Sequence, residues 1–173
     1  MTERGQKALV RDANHFAVGP SSLSRDGDQL IIAIDEVAMP FPRRVKGRIV
    51  IDPKIQNERR FDLDAKGRHR WMPLHPVAHA DVAFEAPDMR WSGHAYMDTN
   101  AGDEPVAGAF RSWDSSRADA VGGSAVLYDT VASDGSRRSI ATFFDAQGGT
   151  RDFEPPPRVT LPRSKWGVAR GTQ

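Results

Sequence analysis

Two short runs rich in β-branched and aromatic residues, SAVLYDTVA at 124–132 and SIATFFD at 139–145, are joined by SDGSRR. Side chains of this kind suit a pleated, half-buried surface, and Asp-Gly is turn chemistry, so the stretch predicts a β-hairpin. The same pattern recurs along the chain. QLIIAIDEV (29–37), VKGRIVI (45–51) and VAHADVAFE (77–85) read as further strands, set apart by the turn signals RDGD (25–28), DAKG (64–67) and DAQGG (145–149). The run at 29–37 is apolar on both faces and is expected to be buried. No window sustains a long 3.6-residue apolar period, although 103–120 can hold a helical turn or two. The fold class predicted is all-β, built from hairpins and meanders, hence a barrel or sandwich.

With 173 residues and 39% hydrophobic content, the chain can bury one core or two small lobes. Lys and Arg number 24 against 23 Asp and Glu, a balance that gives no basis for a nucleic-acid partner. The absence of cysteine excludes disulfides and thiolate metal sites and fits a reducing compartment. The opening MTERGQKALVRD has only Ala8, Leu9 and Val10 as an apolar run, short of the roughly 7–15 residues a secretory signal needs. The run LIIAI (30–34) falls far short of the roughly 20 residues that span a bilayer. A cytoplasmic location is expected. The tail 151–173 holds PPP and five basic residues against two acids, and is expected to be a solvated, poorly ordered, partly polyproline terminus.

The segment WSGHAYMDTNAGDEP (91–105) carries the unusual chemistry. On a strand, alternate residues share a face. Met89, Trp91, Gly93, Ala95 and Met97 would form a core face, with Arg90, Ser92, His94, Tyr96, Asp98 and Asn100 opposite. That second face is either a solvent face or the wall of a polar-lined pocket; alternation alone leaves both open. In GRHRWMP (67–73), His69 and Trp71 share the same i, i+2 relation. His75 and His79 have the i, i+4 spacing of helical zinc ligands, but Pro73 and Pro76 oppose a helix, so no metal is expected. Neither a G-x-S-x-G elbow nor a glycine-rich phosphate loop occurs, so no nucleophilic serine and no nucleotide cofactor is implied.

The blocks RWSGHAYMDTNAGDEP (90–105) and AFRSWDSSRA (109–118), with DAKGRHRWMP (64–73), IDEVAMPFPRRVKGRI (34–49) and HFAVGPSSL (15–23), resemble the carotenoid 1,2-hydratases, or hydroxyneurosporene synthases. The resemblance implies a cofactor-independent hydro-lyase that adds water to the terminal 1,2 double bond of acyclic carotenoids such as lycopene and neurosporene. It implies paired lipocalin-like β-domains in a longer chain, this one being truncated at both ends. Residues 1–66 would then be the remainder of an N-terminal β-domain, 67–150 a second β-domain with the site, and 151–173 a proline-rich basic tail. The residues implicated in the family fall on His69, Trp71, Tyr96 and Asp98, with Asp98 as the proton donor; His94, Asn100 and Trp91 are substrate-pocket candidates. The partners implied are the carotenoid and water, with peripheral contact to the inner or intracytoplasmic membrane following from the substrate's insolubility.

Alkene hydration needs a proton delivered to the less substituted carbon and water to capture the tertiary cation. Burial against an apolar polyene favours the neutral, proton-carrying form of a carboxyl group. Trp71 and Tyr96 are expected to face the cation. His69 is expected to bond Asp98, or to position the water and take its proton. Two other readings fit the same residues: a non-catalytic lipocalin-like binder of an apolar ligand, and an inactive fragment.

Overall fold

The structure, a computed structural model, describes residues 4–168 and the backbone of Arg170–Thr172. It contains strands and one short 3-10 turn, Gln6–Ala8, and no α-helix among the described residues. Two compact units divide it: 1–54 with 78–96, and 55–77 with 97–173. Each is discontinuous in sequence, a division that no linear change of composition marks.

The first unit is an antiparallel meander of β1 (Leu9–Arg11), β2 (His15–Val18), β3 (Ser21–Asp26), β4 (Gln29–Ala38) and β5 (Arg43–Pro53). The later part of β6 (His69–Ala86) pairs with β5. Register follows apolar content: Leu23 opposes Ile32, Ile32 opposes Ile49, and Ile49 opposes Val82, so one face carries a continuous aliphatic row. Burial is nonetheless thin. Ala78 and Val82 are the only hydrophobic residues of this unit that reach the buried class among those described. β4, expected to be buried on both faces, is half-buried from Leu30 to Glu36.

The second unit opens with β7 (Phe61–Asp62), which pairs with the start of β6, Phe61 opposite Trp71. It takes in the end of β8 (Asp88–Gly102) and a four-stranded sheet in the order β12 (Thr150–Asp152), β11 (Arg137–Asp145), β10 (Gly123–Ala132), β9 (Phe110–Ala120). β10 buries Ser124, Val126, Tyr128, Thr130 and Ala132 on one face, and Leu127 on the other. Thr142 and Phe144 of β11, opposite Val126 and Ser124, complete that inner face. The expected hairpin joins β10 to β11, with Asp134 accepting from the Ser136 backbone N–H at 2.9 Å.

One expectation fails here. The stretch 103–120 holds no helical turn: an isolated bridge, Ala107 to Phe110, leads directly into β9. Pairing with β10 from Phe110 to Ala120 supplies ladder hydrogen bonds that outweigh the local preference. The described tail residues are mostly exposed and make a few pairings. Asp152 pairs with Arg59 at 2.6 Å, Arg158 bridges Asp114 and Asp129 at 2.9 and 2.8 Å, and β13 (Val159–Leu161) pairs with β14 (Arg170–Thr172).

Candidate active site

The second unit builds its polar centre on the hairpin between β7 and β6. Asp64 begins the connecting turn and accepts backbone N–H groups from Lys66 at 2.8 Å and Arg68 at 3.3 Å through one carboxylate oxygen. Gly67, at φ 65°, supplies the left-handed residue that the turn needs before β6 starts. Alternation along β6 then turns His69, Trp71 and Pro73 inward, and all three are buried.

Trp71 is 1% exposed. Its ring lies 5.1 Å from Phe61 and 5.0 Å from Tyr128, centroid to centroid. Its indole N–H donates to Asp98 Oδ2 at 2.8 Å. A donor fixed by packing against two rings holds the carboxyl group in one orientation. With the ring enclosed in this way, Trp71 offers no open face to a ligand; the expected ring-face contact with a cation gives way to an edge contact with the acid. Asp98 itself is exposed, so the described residues of this chain do not shield it.

His69 is 3% exposed and is held at both ring nitrogens. Nδ1 lies 3.0 Å from Asp64 Oδ2, Nε2 lies 3.2 Å from the Glu104 carbonyl, and the ring meets Phe110 edge-on at 4.9 Å. The expected bond from His69 to Asp98 is therefore replaced by bonds to Asp64 and Glu104. Gly102 permits the approach, since a Cβ there would sit 3.0 Å from the His69 ring. The following segment is tied down further: Arg70 pairs with Asp103 at 2.6 Å and Arg68 with Glu104 at 2.7 Å.

Burial pushes the Asp64 carboxyl pKa up, but hydrogen bonds from the His69 backbone and ring, and from the Lys66 and Arg68 backbone, outweigh it and bring it to about 2. The folded value lies below the ordinary one of about 3.9. Asp64 thus contributes stability that is complete above about pH 4 and is lost as pH falls through about 2. Urea midpoints measured down this range are expected to fall more steeply in the parent chain than in Asp64→Asn; parallel curves would remove the assignment.

Beside these groups is a cavity of about 400 Å³. Leu63, Val106, Phe110 and Trp113 supply apolar walls, and His69, Asn100 and Tyr128 are among the polar ones, with Arg70 and Glu104 charged. The Tyr128 hydroxyl donates to Asn100 Oδ1 at 3.4 Å. Burial, and then the charge of Asp98, push the Tyr128 pKa up, which keeps it a phenol.

The seven residues singled out from sequence separate as follows. His69, Trp71, Asp98 and Asn100 belong to the second unit. Trp71 and Asp98 are in contact, and His69 and Asn100 share the cavity. Trp91, His94 and Tyr96 belong to the first unit. There Trp91 stacks on Phe84 at 6.2 Å and lines a separate cavity with Arg48, Val50 and Asp81, while His94 is exposed and Tyr96 half-buried. The supposed core face of that strand is also open at its start, with Met89 45% and Trp91 51% exposed. The residues that sequence reasoning missed are Phe61, Asp64, Phe110 and Tyr128. A signal existed for two of them: Asp64 opens the DAKG turn, and Tyr128 shares a strand face with Ser124 and Thr130.

The family model described as carotenoid hydratase CrtC matches residues 1–173. The chain is 46% identical to the acyclic carotenoid 1,2-hydratase of Thiocapsa roseopersicina, over 100% of this chain and 43% of that protein. It is 46% identical to the protein of the same name from Rubrivivax gelatinosus, over 98% of this chain and 42% of that protein. A third relative so named, from Rhodobacter capsulatus, is 33% identical over 100% of this chain and 62% of its own length. The chain spans less than half the length of the first two. No solved structure matches it significantly.

Proposed function

Because this chain belongs to the carotenoid hydratase CrtC family, we propose that it adds water to the terminal 1,2 double bond of acyclic carotenoids such as lycopene and neurosporene, giving 1-hydroxy carotenoids. The observation that carries the proposal is the 2.8 Å hydrogen bond from the buried Trp71 indole to Asp98. A carboxyl group anchored by a fixed donor is held in a constant orientation, which is the requirement for a proton donor aimed at one carbon of an alkene.

Asp98 is the general acid in this reading. A polyene laid over its exposed carboxyl group would exclude water and favour the neutral acid, so the substrate itself would supply the missing shield. Protonation of the less substituted carbon places a tertiary cation at the dimethyl-bearing carbon. Tyr96, two residues before Asp98 on β8, is assigned to stabilise that cation through its ring, a contribution of about 0.5–2 kcal/mol. Water then captures the cation. Proton, water and alkene balance with no electron transfer, so the step needs no redox cofactor, and the class is hydro-lyase. Apolar walls beside Asn100 and Tyr128 suit an acyclic hydrocarbon end next to a water-holding group.

No helix among the described residues is long and apolar enough to cross a membrane. The proposed location is the cytoplasmic side of the inner or intracytoplasmic membrane, with peripheral contact, because the substrate resides in lipid.

Incubation with lycopene or neurosporene in heavy-oxygen water tests the proposal. The expected product is a 1-hydroxy carotenoid carrying the heavy oxygen. Bound but unchanged carotenoid would make the chain a carrier, and neither binding nor product would make it an inactive piece; either result ends the hydratase reading for this chain.

A further inference from the structure

We propose that Asp64 is a positioning residue which, together with the Glu104 carbonyl, holds His69 as an imidazolium donating from both ring nitrogens. His69 then orders the rim of the cavity and does not serve as the base. The role in catalysis rests on the hydration reading above; the state of the ring does not.

A backbone carbonyl has no hydrogen to give, so the 3.2 Å contact at Nε2 requires hydrogen on that nitrogen. Asp64 Oδ2 faces Nδ1 at 3.0 Å while accepting the His69 backbone N–H at 2.8 Å. Its other oxygen accepts from Lys66 and Arg68. A carboxyl group that already accepts three backbone hydrogen bonds, one of them on the oxygen that faces the ring, acts as an ionised acceptor. A lone pair on either ring nitrogen would therefore point at another lone pair. Only the doubly protonated ring satisfies both contacts, and the residue is 3% exposed.

Of the carboxylates around the ring, Asp64 touches it and Asp103 lies within reach of its field. On its own strand and turn lie Lys66, Arg68 and Arg70, with Asp62 and Asp64. The segment after β8 contributes Asp103, claimed by Arg70, and Glu104, claimed by Arg68. From β9 comes Phe110, and from β10 Tyr128 lines the same cavity. Asp64 is the carboxylate bonded to the ring. Through the Glu104 carbonyl the ring then pins residues 103–105, beside the cavity wall formed by Pro105 and Val106.

An imidazolium cannot accept a proton from water. In the hydration step the proton of Asp98 becomes the new C–H bond, and the oxygen of water bonds to the tertiary cation. The extra proton of the resulting oxonium returns to the Asp98 carboxylate. The cycle closes on one residue, and His69 takes no part in proton transfer.

Histidine labelled with nitrogen-15 in the full chain reads this directly. Long-range proton–nitrogen correlations at neutral pH are expected to show both His69 ring nitrogens protonated, whereas a solvent histidine is mostly neutral there. The signal is identified by its loss in His69→Gln. A spectrum with one unprotonated ring nitrogen overturns the proposal. In Asp64→Asn, with folding checked by circular dichroism, His69 is expected to lose one ring proton at the same pH; retention of both removes Asp64 from the role. Should that variant not fold, the parent spectrum still decides. Failure of the heavy-oxygen experiment leaves the nitrogen spectrum untouched, so the two readings fail separately.

Discussion

Replacement of Asp98 by asparagine is expected to lower heavy-oxygen incorporation by about 10²–10⁴-fold while leaving the fold intact, because a general acid contributes about that factor. Asparagine keeps the shape of the side chain, and its carbonyl oxygen can still accept from the Trp71 indole, now at 2.8 Å from the Asp98 carboxylate. What it lacks is a transferable proton. Since Asp98 is exposed, the substitution removes no core packing, and the urea midpoint should barely move. Near-normal turnover in Asp98→Asn would show that the proton comes from elsewhere, and the assignment would fall.

Trp71 separates packing from orientation. Trp71→Ala removes a ring that is 1% exposed and packed about 5 Å from both Phe61 and Tyr128. A cavity of that origin costs about 3–5 kcal/mol, a large fraction of the total stability of a small domain. Trp71→Phe keeps an aromatic ring in the same space but deletes the N–H. Its urea midpoint should lie much nearer the parent than that of Trp71→Ala, while turnover drops because the acid is no longer held. If Trp71→Phe matched the parent in rate, the hydrogen bond to Asp98 would be structural decoration, and the orientation argument would be withdrawn.

The strands legible in the chain were those with local signatures. QLIIAIDEV, VKGRIVI, SAVLYDTVA and SIATFFD fall within or almost coincide with β4, β5, β10 and β11, because alternation and turn residues act over a few neighbours. The stretch 103–120 misled because its preference for strand lies in pairing with β10 and not in its own composition. Burial was misjudged for a related reason. Apolar content on both faces of 29–37 says that a strand can be covered, not how far it is.

The site divides along the same line. His69 with Trp71, and Tyr96 with Asp98, were isolated as i, i+2 pairs, since side-chain direction along a strand is a local property. Their partners lie far away in sequence or require knowledge of a turn. Asp98 meets Trp71 across 27 residues, and the Glu104 carbonyl reaches His69 across 35. That His69 is held by Asp64, at a separation of five residues, depends on how the DAKG turn curls its carboxylate back over the ring.

By itself, then, the order of amino acids determined that this chain is all-β, where its principal hairpin turns, and to which family it belongs, because backbone periodicity and motif spacing are written residue by residue. Only the tertiary structure decided that the indole grips the acid by its edge, that the histidine is spent on Asp64 and Glu104, and that Tyr128 walls the cavity. Hydrogen bonds and ring contacts are set by distances between strands, and those distances exist only once the sheets have paired.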